Sequence, residues 1–141
     1  MTPLPDGLLP RPTPLTQPFW EGCLAGELRL QSCDSCGHYR FFPSEACPHC
    51  GTAEHTWRAV SPRGRIYSWI VIHRAPDPAW ADEVPYTVVV VRLEVPGDPL
   101  LTGVLVDCPA EEIAADLPVR VEFERMNEAI ALLRWRPDVG L

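Results

Sequence analysis

The segment Cys33-Asp-Ser-Cys36-Gly37-His-Tyr-Arg-Phe-Phe-Pro-Ser-Glu-Ala-Cys47-Pro-His-Cys50-Gly51 decides how this chain folds. It contains two Cys-x-x-Cys-Gly units. A Cys-x-x-Cys turn brings two thiolates within reach of one metal ion, and a second turn completes the four-sulfur shell that structural zinc prefers. The sequence therefore predicts one zinc ion per chain, and its ligands are Cys33, Cys36, Cys47 and Cys50.

Two disulfides or a redox site are the alternatives that the cysteine spacing leaves open. A shell of four thiolates has no open coordination position, so a zinc held this way would stabilise structure and would not catalyse. His38 and His49 lie in the same segment. Because four sulfurs already fill the shell, we interpret both histidines as bystanders, although either could replace a cysteine.

The length and composition of the chain limit the classes of protein to which it can belong. The 141 residues correspond to one domain, or to one small domain with an appendage. The net charge is −7 and all 12 basic residues are arginine, a balance that argues against a nucleic-acid backbone as partner. The chain has neither an apolar run of about 18 residues nor a signal-peptide pattern at its start. We therefore expect a cytoplasmic protein without a membrane partner.

The chain before the cysteines divides into two parts. Residues 1–17 are rich in proline and predict an extended arm, which is either a loose tail or laid against a partner. Residues 19–24 predict a helix of about two turns that stops at Gly26. An exposed Phe-Trp pair is costly unless it packs on the barrel or on another chain. The helix therefore supplies the residues predicted at a partner interface, which are Phe19, Trp20 and Leu24.

The chain after the cysteines is a succession of strands. Strands are predicted at residues 64–73, 85–93, 100–106, 118–124 and 130–135, and one helical turn at 110–115. The strand at 85–93 is the most apolar, and we expect it to be central and buried on both faces. Five strands with a short helix between the third and fourth correspond to an OB-type barrel. The predicted organisation is an arm (1–17), a helix with a zinc ribbon (18–60), the barrel (61–137) and a tail (138–141).

Several of these motifs together resemble one family. They are Phe19-Trp20-Glu21, Glu27-Leu28-Arg29-Leu30-Gln31, the two Cys-x-x-Cys-Gly units, Gly64-Arg65-Ile66-Tyr67-Ser68-Trp69, Val84-Pro85-Tyr86 and Leu117-Pro118-Val119. In combination they are similar to the zinc-ribbon/OB-fold family known as domain of unknown function 35, over roughly residues 18–137. One departure is Ala115-Asp116-Leu117, where family members often have a glycine before the fourth barrel strand.

The resemblance implies a mainly β protein with a short N-terminal helix, a rubredoxin-like zinc ribbon and a five-stranded OB barrel. It also implies a role in acyl-CoA metabolism as a non-catalytic partner. The enzymes that such proteins accompany are thiolases, thiolase-like aldolases of steroid side-chain breakdown and MaoC-type enoyl-CoA hydratases. On this basis we expect a hetero-oligomer with a thiolase-fold enzyme and an acyl-CoA ligand.

Coenzyme A has an anionic nucleotide end, so a binder needs arginines for phosphate and aromatic surface for adenine. Such side chains occur in and after the first barrel strand. Because alternate residues of a strand face opposite sides, we expect Arg65, Tyr67 and Trp69 to share one face. The alternative is that these aromatics cap the barrel and the arginines only aid solubility. The candidate ligand-binding residues are Arg63, Arg65, Tyr67, Trp69, His73 and Arg74.

No catalytic residue is predicted. Cys23 is interpreted as an apolar residue of the helix face, Cys108 as a structural thiol and His73 as a surface histidine. No nucleophile elbow and no His-Glu-x-x-His helix occurs in the sequence. The alternatives to an accessory subunit are a nucleic-acid-binding ribbon/OB module and a small stand-alone acyl-CoA or redox enzyme.

Overall fold

The computed structural model describes residues 8–138, and within them the chain forms one α-helix and eight β-strands. Single 3-10 turns at Pro78–Trp80 and Ala110–Glu112 lie in two of the connections. The mainly β class predicted from the sequence is confirmed. The elements are α1 (Gln17–Ala25), β1 (Leu28–Cys33), β2 (Tyr39–Arg40), β3 (His55–Val60), β4 (Arg63–Ile72), β5 (Tyr86–Leu93), β6 (Leu100–Leu105), β7 (Pro118–Arg125) and β8 (Ala131–Pro137).

Helix α1 begins and ends where its sequence signals place it. Pro18 stands in the first turn, where a missing N–H costs nothing. Gly26 adopts φ 78° and ends the helix, and its N–H donates to Cys23 O. Phe19 and Cys23, four residues apart, are 3% and 2% exposed and form the buried face. The predicted helix is confirmed, with two more residues at its start and one more at its end.

The first sheet has three strands in the order β2-β1-β3. β1 is central, and it pairs antiparallel with β3 from Leu28↔Val60 to Cys33↔His55. On its other edge it pairs with β2, where Gln31 lies opposite Arg40. Because both edges of β1 are paired, its end at Cys33 is fixed in space, and this end carries the first cysteine.

The second sheet is a closed barrel in the order β4-β5-β6-β8-β7. All neighbouring pairs are antiparallel except β6 and β8, which run parallel through Val104↔Arg134 and Leu105↔Trp135. The barrel closes where β4 pairs with β7 at Gly64↔Val119. This arrangement confirms the five-stranded OB-type barrel, and the 3-10 turn at Ala110–Glu112 occupies the predicted helical position.

One apolar core extends from the first sheet and α1 into the barrel. Trp135 is fully buried at its centre. The two sheets also meet through the backbone, since Tyr39 N–H donates to Pro96 O at 2.8 Å. The buried members of the core are Phe19, Cys23, Leu28, Leu30, Ile66, Val89, Val91, Leu93, Leu101, Leu105, Ile113, Val119, Val121, Ala131 and Trp135.

The strand β5 corrects one expectation. The sequence predicted burial on both faces, but only alternate residues (Thr87, Val89, Val91 and Leu93) are buried, and the residues between them are half-buried. The reason is geometric, because a barrel strand has one face towards the interior and one outside. The apolar residues on the outer face, Val88 and Val90, therefore belong to a surface.

The predicted arm and tail fall partly outside the described residues, which exclude 1–7 and 139–141. Within the arm, Leu9 and Thr16 are buried. β3 ends at Val60 and β4 begins at Arg63, close to the predicted boundary, while the core is shared across it. The division into domains stays a prediction. No helix within residues 8–138 has the length and apolar character needed to cross a bilayer.

Candidate metal centre and binding surfaces

Two similar turns bring the cysteine pairs together. In the first, Gly37 N–H donates to Cys33 O at 2.9 Å, and in the second, Gly51 N–H donates to Cys47 O at 2.8 Å. Gly37 and Gly51 have φ of 77° and 80°, a conformation that residues with a Cβ adopt only at a cost. The repeated glycine in the sequence therefore has a backbone reason.

The four sulfur atoms of Cys33, Cys36, Cys47 and Cys50 all lie within 4.8 Å of one another. Two of the separations are 3.5 Å (Cys33 to Cys50) and 3.7 Å (Cys36 to Cys47). A tetrahedral zinc with Zn–S bonds of about 2.3 Å requires sulfurs about 3.8 Å apart. The donor set and its spacing thus fit a structural zinc ion, whose chemistry here is to crosslink the two turns.

Local hydrogen bonds set the ionisation of these thiols. The Thr52 hydroxyl, 3.3 Å from Cys50 Sγ, and the Thr52 backbone N–H lower the pKa of Cys50 to about 6. The His38 backbone N–H lowers the pKa of Cys36, but desolvation and the neighbouring sulfurs outweigh it and raise that pKa to about 12. Four sulfurs this close cannot all carry negative charge unless a cation lies between them.

The two histidines of the cysteine segment lie beside the sulfurs. His38 Nδ1 is 3.6 Å from Cys36 Sγ, and the His38 and His49 rings meet edge to face with centroids 3.9 Å apart. His49 also donates its backbone N–H to Cys47 Sγ at 3.4 Å. Since the described sulfurs already make up four donors, the histidines are placed to support the site from outside, as N–H donors to sulfur do in metal sites generally.

A buried polar cluster, which the sequence did not reveal, holds the loop between the cysteine pairs. Gln31 is fully buried, and its Oε1 accepts from the Ser44 N–H at 2.9 Å and from Arg40 Nε at 3.1 Å. Gln31 Nε2 donates to Ser44 O at 3.1 Å, and Arg40 Nη2 donates to the same oxygen at 3.2 Å. The only sequence signal for this cluster was that Gln31, a polar residue, lies in β1, which is the central strand of the first sheet.

The predicted ligand-binding face of β4 is corrected by a β-bulge. The register shifts between Ile66 and Ser68, so that Arg65 lies opposite Arg92 while Trp69 lies opposite the fully buried Val89. Residues directly opposite each other in an antiparallel pair point to the same face. Arg65 and Trp69 therefore face opposite sides of the sheet, because the extra residue at Tyr67 interrupts the strict alternation that the sequence reasoning assumed.

The candidate ligand residues also lie at two ends of β4. Arg63 pairs with Asp138 at 3.3 Å and Arg65 with Glu94 at 2.6 Å, so nearby carboxylates balance both charges. His73 and Arg74 follow the other end of β4, about 25 Å along the strand from Arg65, and are exposed. In residues 8–138 no carboxylate pairs with Arg74. The predicted set is thus not one cluster.

Neither cysteine outside the metal site is activated. Burial raises the pKa of Cys23 to about 12. Burial, with Glu112 and Glu111 nearby, raises the pKa of Cys108 as well. Cys108 lines a cavity of about 720 Å³ at the mouth of the barrel, in which Arg136 is held by Asp107 at 2.6 Å and by Glu122 at 2.7 Å. Both thiols are therefore protonated at neutral pH and are poor nucleophiles.

The predicted interface residues of α1 have different environments. Phe19 is buried and packs against Trp20 and Phe41, with ring centroids 5.0 and 5.3 Å apart. Leu24 is half-buried against the core. Trp20 is half-buried and lines a second cavity, of about 340 Å³, between α1 and the outside of the barrel. Phe19 lines the same groove but is only 3% exposed, and Leu24 lines a different groove, so Trp20 is the accessible member of the three at the larger groove.

Two family models match the chain. Residues 20–56 match the rubredoxin-like zinc ribbon domain of ChsH2, and residues 57–124 match the C-terminal OB-fold domain of ChsH2. A "DUF35 domain-containing scaffold protein" of Methanocaldococcus jannaschii is 31% identical over 97 residues, which cover 68% of this chain and 67% of that protein.

A longer relative also matches. The "Probable enoyl-CoA hydratase alpha subunit" of Thermomonospora curvata is 34% identical over 137 residues, which are 96% of this chain but 42% of that protein. The chain therefore spans less than half of that relative's length.

Two solved structures share the fold. The "Ltp2-ChsH2(DUF35) aldolase" superimposes with a TM-score of 0.79 and 29% identity, covering 92% of this chain and 98% of that chain. A protein of unknown function from the DUF35 family of Sulfolobus solfataricus superimposes with a TM-score of 0.62 and 14% identity, covering 89% and 86%.

Proposed function

Since the chain belongs to the DUF35 family of zinc-ribbon and OB-fold proteins, we propose that it is a non-catalytic accessory subunit of a thiolase-like enzyme acting on acyl-CoA. In this role it docks the enzyme, stabilises it and contributes to acyl-CoA binding. The substrates would include CoA thioesters of steroid side chains, as the family resemblance implies.

The observation that carries the proposal is the likeness to one chain of an aldolase complex. The match extends over 98% of that chain, so it includes the ribbon and the barrel together. The chemistry of the site agrees with a supporting role. Its clustered sulfurs suit a closed zinc shell, and the thiols outside that shell are protonated at neutral pH.

The contribution to acyl-CoA binding is assigned to the far end of β4. Arg74 and His73 are exposed there, and Trp69 on the same strand offers aromatic surface. Guanidinium and aromatic groups suit phosphate and adenine. Arg63 and Arg65 are weaker candidates, because a phosphate would have to displace Asp138 and Glu94.

A second candidate is an accessory role in an enoyl-CoA hydratase. The relative from Thermomonospora curvata carries that name and is 34% identical to this chain. The two candidates share the acyl-CoA ligand and differ in the reaction of the partner.

The test is to co-express the chain with a candidate thiolase-like enzyme and, separately, with a candidate hydratase-like enzyme, and to purify each complex. Carbon–carbon cleavage and hydration of acyl-CoA are then assayed with the enzyme alone, the chain alone and the complex. We expect the thiolase-like enzyme to form a complex and to lose most of its activity without the chain.

Two results would overturn the proposal. One is that the chain binds neither enzyme. The other is turnover by the purified chain alone that His73→Ala or Cys108→Ala abolishes, since the chain would then be the enzyme.

A further inference from the structure

The cavity beside Trp20 is an apolar groove between two parts of the molecule. One wall is aromatic and comes from α1 and from the loop between the cysteine pairs. The other wall is the outer face of β5, β6 and β8. We call this the aromatic groove, and its main lining residues are Phe19, Trp20, Phe41 and Phe42 on one side and Val88, Val104 and Leu132 on the other.

Phe42 is the most exposed large apolar side chain among the described residues, at 63%. Its ring packs edge to face on Phe41, with centroids 5.5 Å apart. Two residues further on, both backbone groups of Ser44 are held by the buried Gln31. The loop that carries Phe42 is therefore anchored by buried hydrogen bonds, and the exposure of this ring is built into the fold.

The apolar surface continues from the groove across the barrel. Ile70, Val88 and Val104 lie directly opposite one another on β4, β5 and β6, and so they share the outer face. Ile70 is 59% exposed. Strands lie about 4.8 Å apart, so these three side chains add a stripe about 10 Å wide to the groove. An apolar surface of this continuity marks a site of protein interaction.

Residues of the aromatic groove and of the stripe together form what we call the docking surface, which is defined as Trp20, Phe42, Ile70, Val88, Val104 and Leu132. We propose, resting on the function proposed above, that the docking surface binds an apolar segment of the enzyme subunit that is flanked by basic residues. Its aromatic members are of the residue class that dominates interface energetics.

The charges around the docking surface favour this occupant. Glu21 is exposed next to Trp20, and Glu45 is exposed three residues after Phe42. At the inner end of the groove the one guanidinium, that of Arg134, is 3.1 Å from Glu124. The exposed carboxylates next to Trp20 and near Phe42 therefore make the aromatic end of the docking surface acidic, in a chain of net charge −7, while the exposed Arg74 lies beyond Ile70 at the opposite end. Lysine or arginine beside an apolar anchor complements such an acidic end and speeds association.

The size of the surface favours a protein over a small molecule. A stable protein interface needs about 800 Å² from each partner. The groove alone, at about 340 Å³, lies at the lower limit of small-molecule sites, whereas the groove and the sheet stripe together form one wide face.

The experiment measures the affinity of the purified chain for the co-expressed enzyme by calorimetry. Phe42→Glu and Ile70→Glu each place a charge in the docking surface and are expected to raise Kd by about 100-fold. Leu100→Glu is the matched control, because Leu100 is 40% exposed on β6 but lies about 13 Å along the strand from Val104. We expect its Kd to change less than threefold.

Melting temperature and zinc content identify any variant that fails to fold, and Phe42→Ala with Ile70→Ala then replaces it. Wild-type affinity in the folded Phe42 and Ile70 variants overturns the docking surface while the proposed function stands. A wild-type chain that binds no enzyme overturns both.

Two further results would assign the surface to another occupant and so overturn the proposal. In one, the free chain sediments as a dimer that Phe42→Glu dissociates, and the variant binds the enzyme normally. In the other, octanoate binds the free chain one to one, Phe42→Glu abolishes that binding, and the enzyme complex is unaffected.

Discussion

Gln31 holds together three parts of the chain that are distant in sequence. Its amide bonds to the backbone of Ser44 in the loop and to Nε of Arg40 on β2, and its Nε2 lies 3.3 Å from His55 Nε2 on β3. Since His55 Nδ1 lies 3.0 Å from Ala53 O, the tautomer with hydrogen on Nδ1 leaves Nε2 to accept from Gln31. A neutral amide oxygen thus provides Nε of the buried Arg40 with its acceptor, while Ser44 O accepts from Nη2.

We predict that Gln31→Leu lowers the free energy of unfolding by about 2–4 kcal/mol, because it leaves Ser44 N–H and Arg40 Nε buried without acceptors. Chemical denaturation followed by tryptophan fluorescence measures the change. The matched control is Gln17→Leu on the exposed start of α1, which should change stability by less than about 0.5 kcal/mol. Equal effects of the two substitutions would show that the cluster contributes nothing specific.

At the same scale, Arg74→Ala is expected to raise the KM of the enzyme complex for acyl-CoA up to about fivefold with kcat unchanged, as the loss of one exposed phosphate contact does. Arg65→Ala is the matched control and should have a smaller effect, since Arg65 is engaged by Glu94. Steady-state kinetics at varied acyl-CoA concentration measures both. A larger effect at Arg65 would move the CoA site to the other end of β4.

Among the elements, the ribbon depends on its metal ion for order. Its sheet has three strands and β2 is only two residues long. The crosslink of the four sulfurs through zinc therefore supplies folding free energy that such a small core does not. We predict about one zinc per chain, loss of zinc and of the folded ribbon in Cys36→Ser, and retention of both in the control Cys108→Ser. Metal analysis and circular dichroism provide the readout. A metal-free protein with an unchanged melting curve would contradict the prediction.

Zinc binding should also depend on pH in a defined direction. Thr52 lowers the pKa of Cys50 to about 6, so this thiolate persists at neutral pH and takes up a proton only as the pH falls through that value. At neutral pH protons already compete with zinc at Cys36, whose pKa is raised to about 12, and below about pH 6 they compete at Cys50 as well, so zinc affinity falls more steeply there. In Thr52→Val the Cys50 pKa should rise and zinc release, followed with a chromogenic chelator, should begin at higher pH. An unchanged release profile would show that Thr52 does not set it.

The contact between ribbon and barrel depends on the turn that contains Gly97. Its φ is 95°, and a Cβ there would lie 2.6 Å from Tyr39 O. We predict that Gly97→Ala destabilises the protein by about 2–3 kcal/mol, from backbone strain and this overlap together. Gly26→Ala is the control, since Gly26 has φ 78° with open space around it and should cost about 1 kcal/mol. Thermal unfolding separates the two.

Features with a local, repeated sequence signal could be predicted, whereas features that depend on a contact across the fold could not. The two Cys-x-x-Cys-Gly units and the alternating strands are local, so the ribbon, the helix and the barrel order could be predicted. The bulge at Tyr67 is not local, because it shows only in the register with β5, and it separated Arg65 from Trp69. Gln31 could not be recognised because its partners come from Arg40 and Ser44, across a loop whose path the sequence does not specify.

For the molecule as a whole, the acidic charge and the apolar docking surface belong to different tasks. Net charge keeps a small protein soluble and favours encounters with basic partners. The exposed Phe42 and Ile70 work against solubility, which is why their exposure calls for an interaction partner. Helix α1 links the core to the docking surface, since its buried face packs into the shared core while its Trp20 lines the groove.

The spacing of the pairings along the chain also implies an order of events during synthesis on the ribosome. The four cysteines emerge within 18 consecutive residues, and β1 finds β3 soon after, whereas Gly64 must wait for Val119 to close the barrel. Contacts of short sequence separation form first and long ones slowly. The nascent ribbon can therefore acquire its metal before the barrel forms. The chain most needs a chaperone in the interval when β4 to β6 have been synthesised but the barrel is not yet closed, because their apolar residues are then exposed.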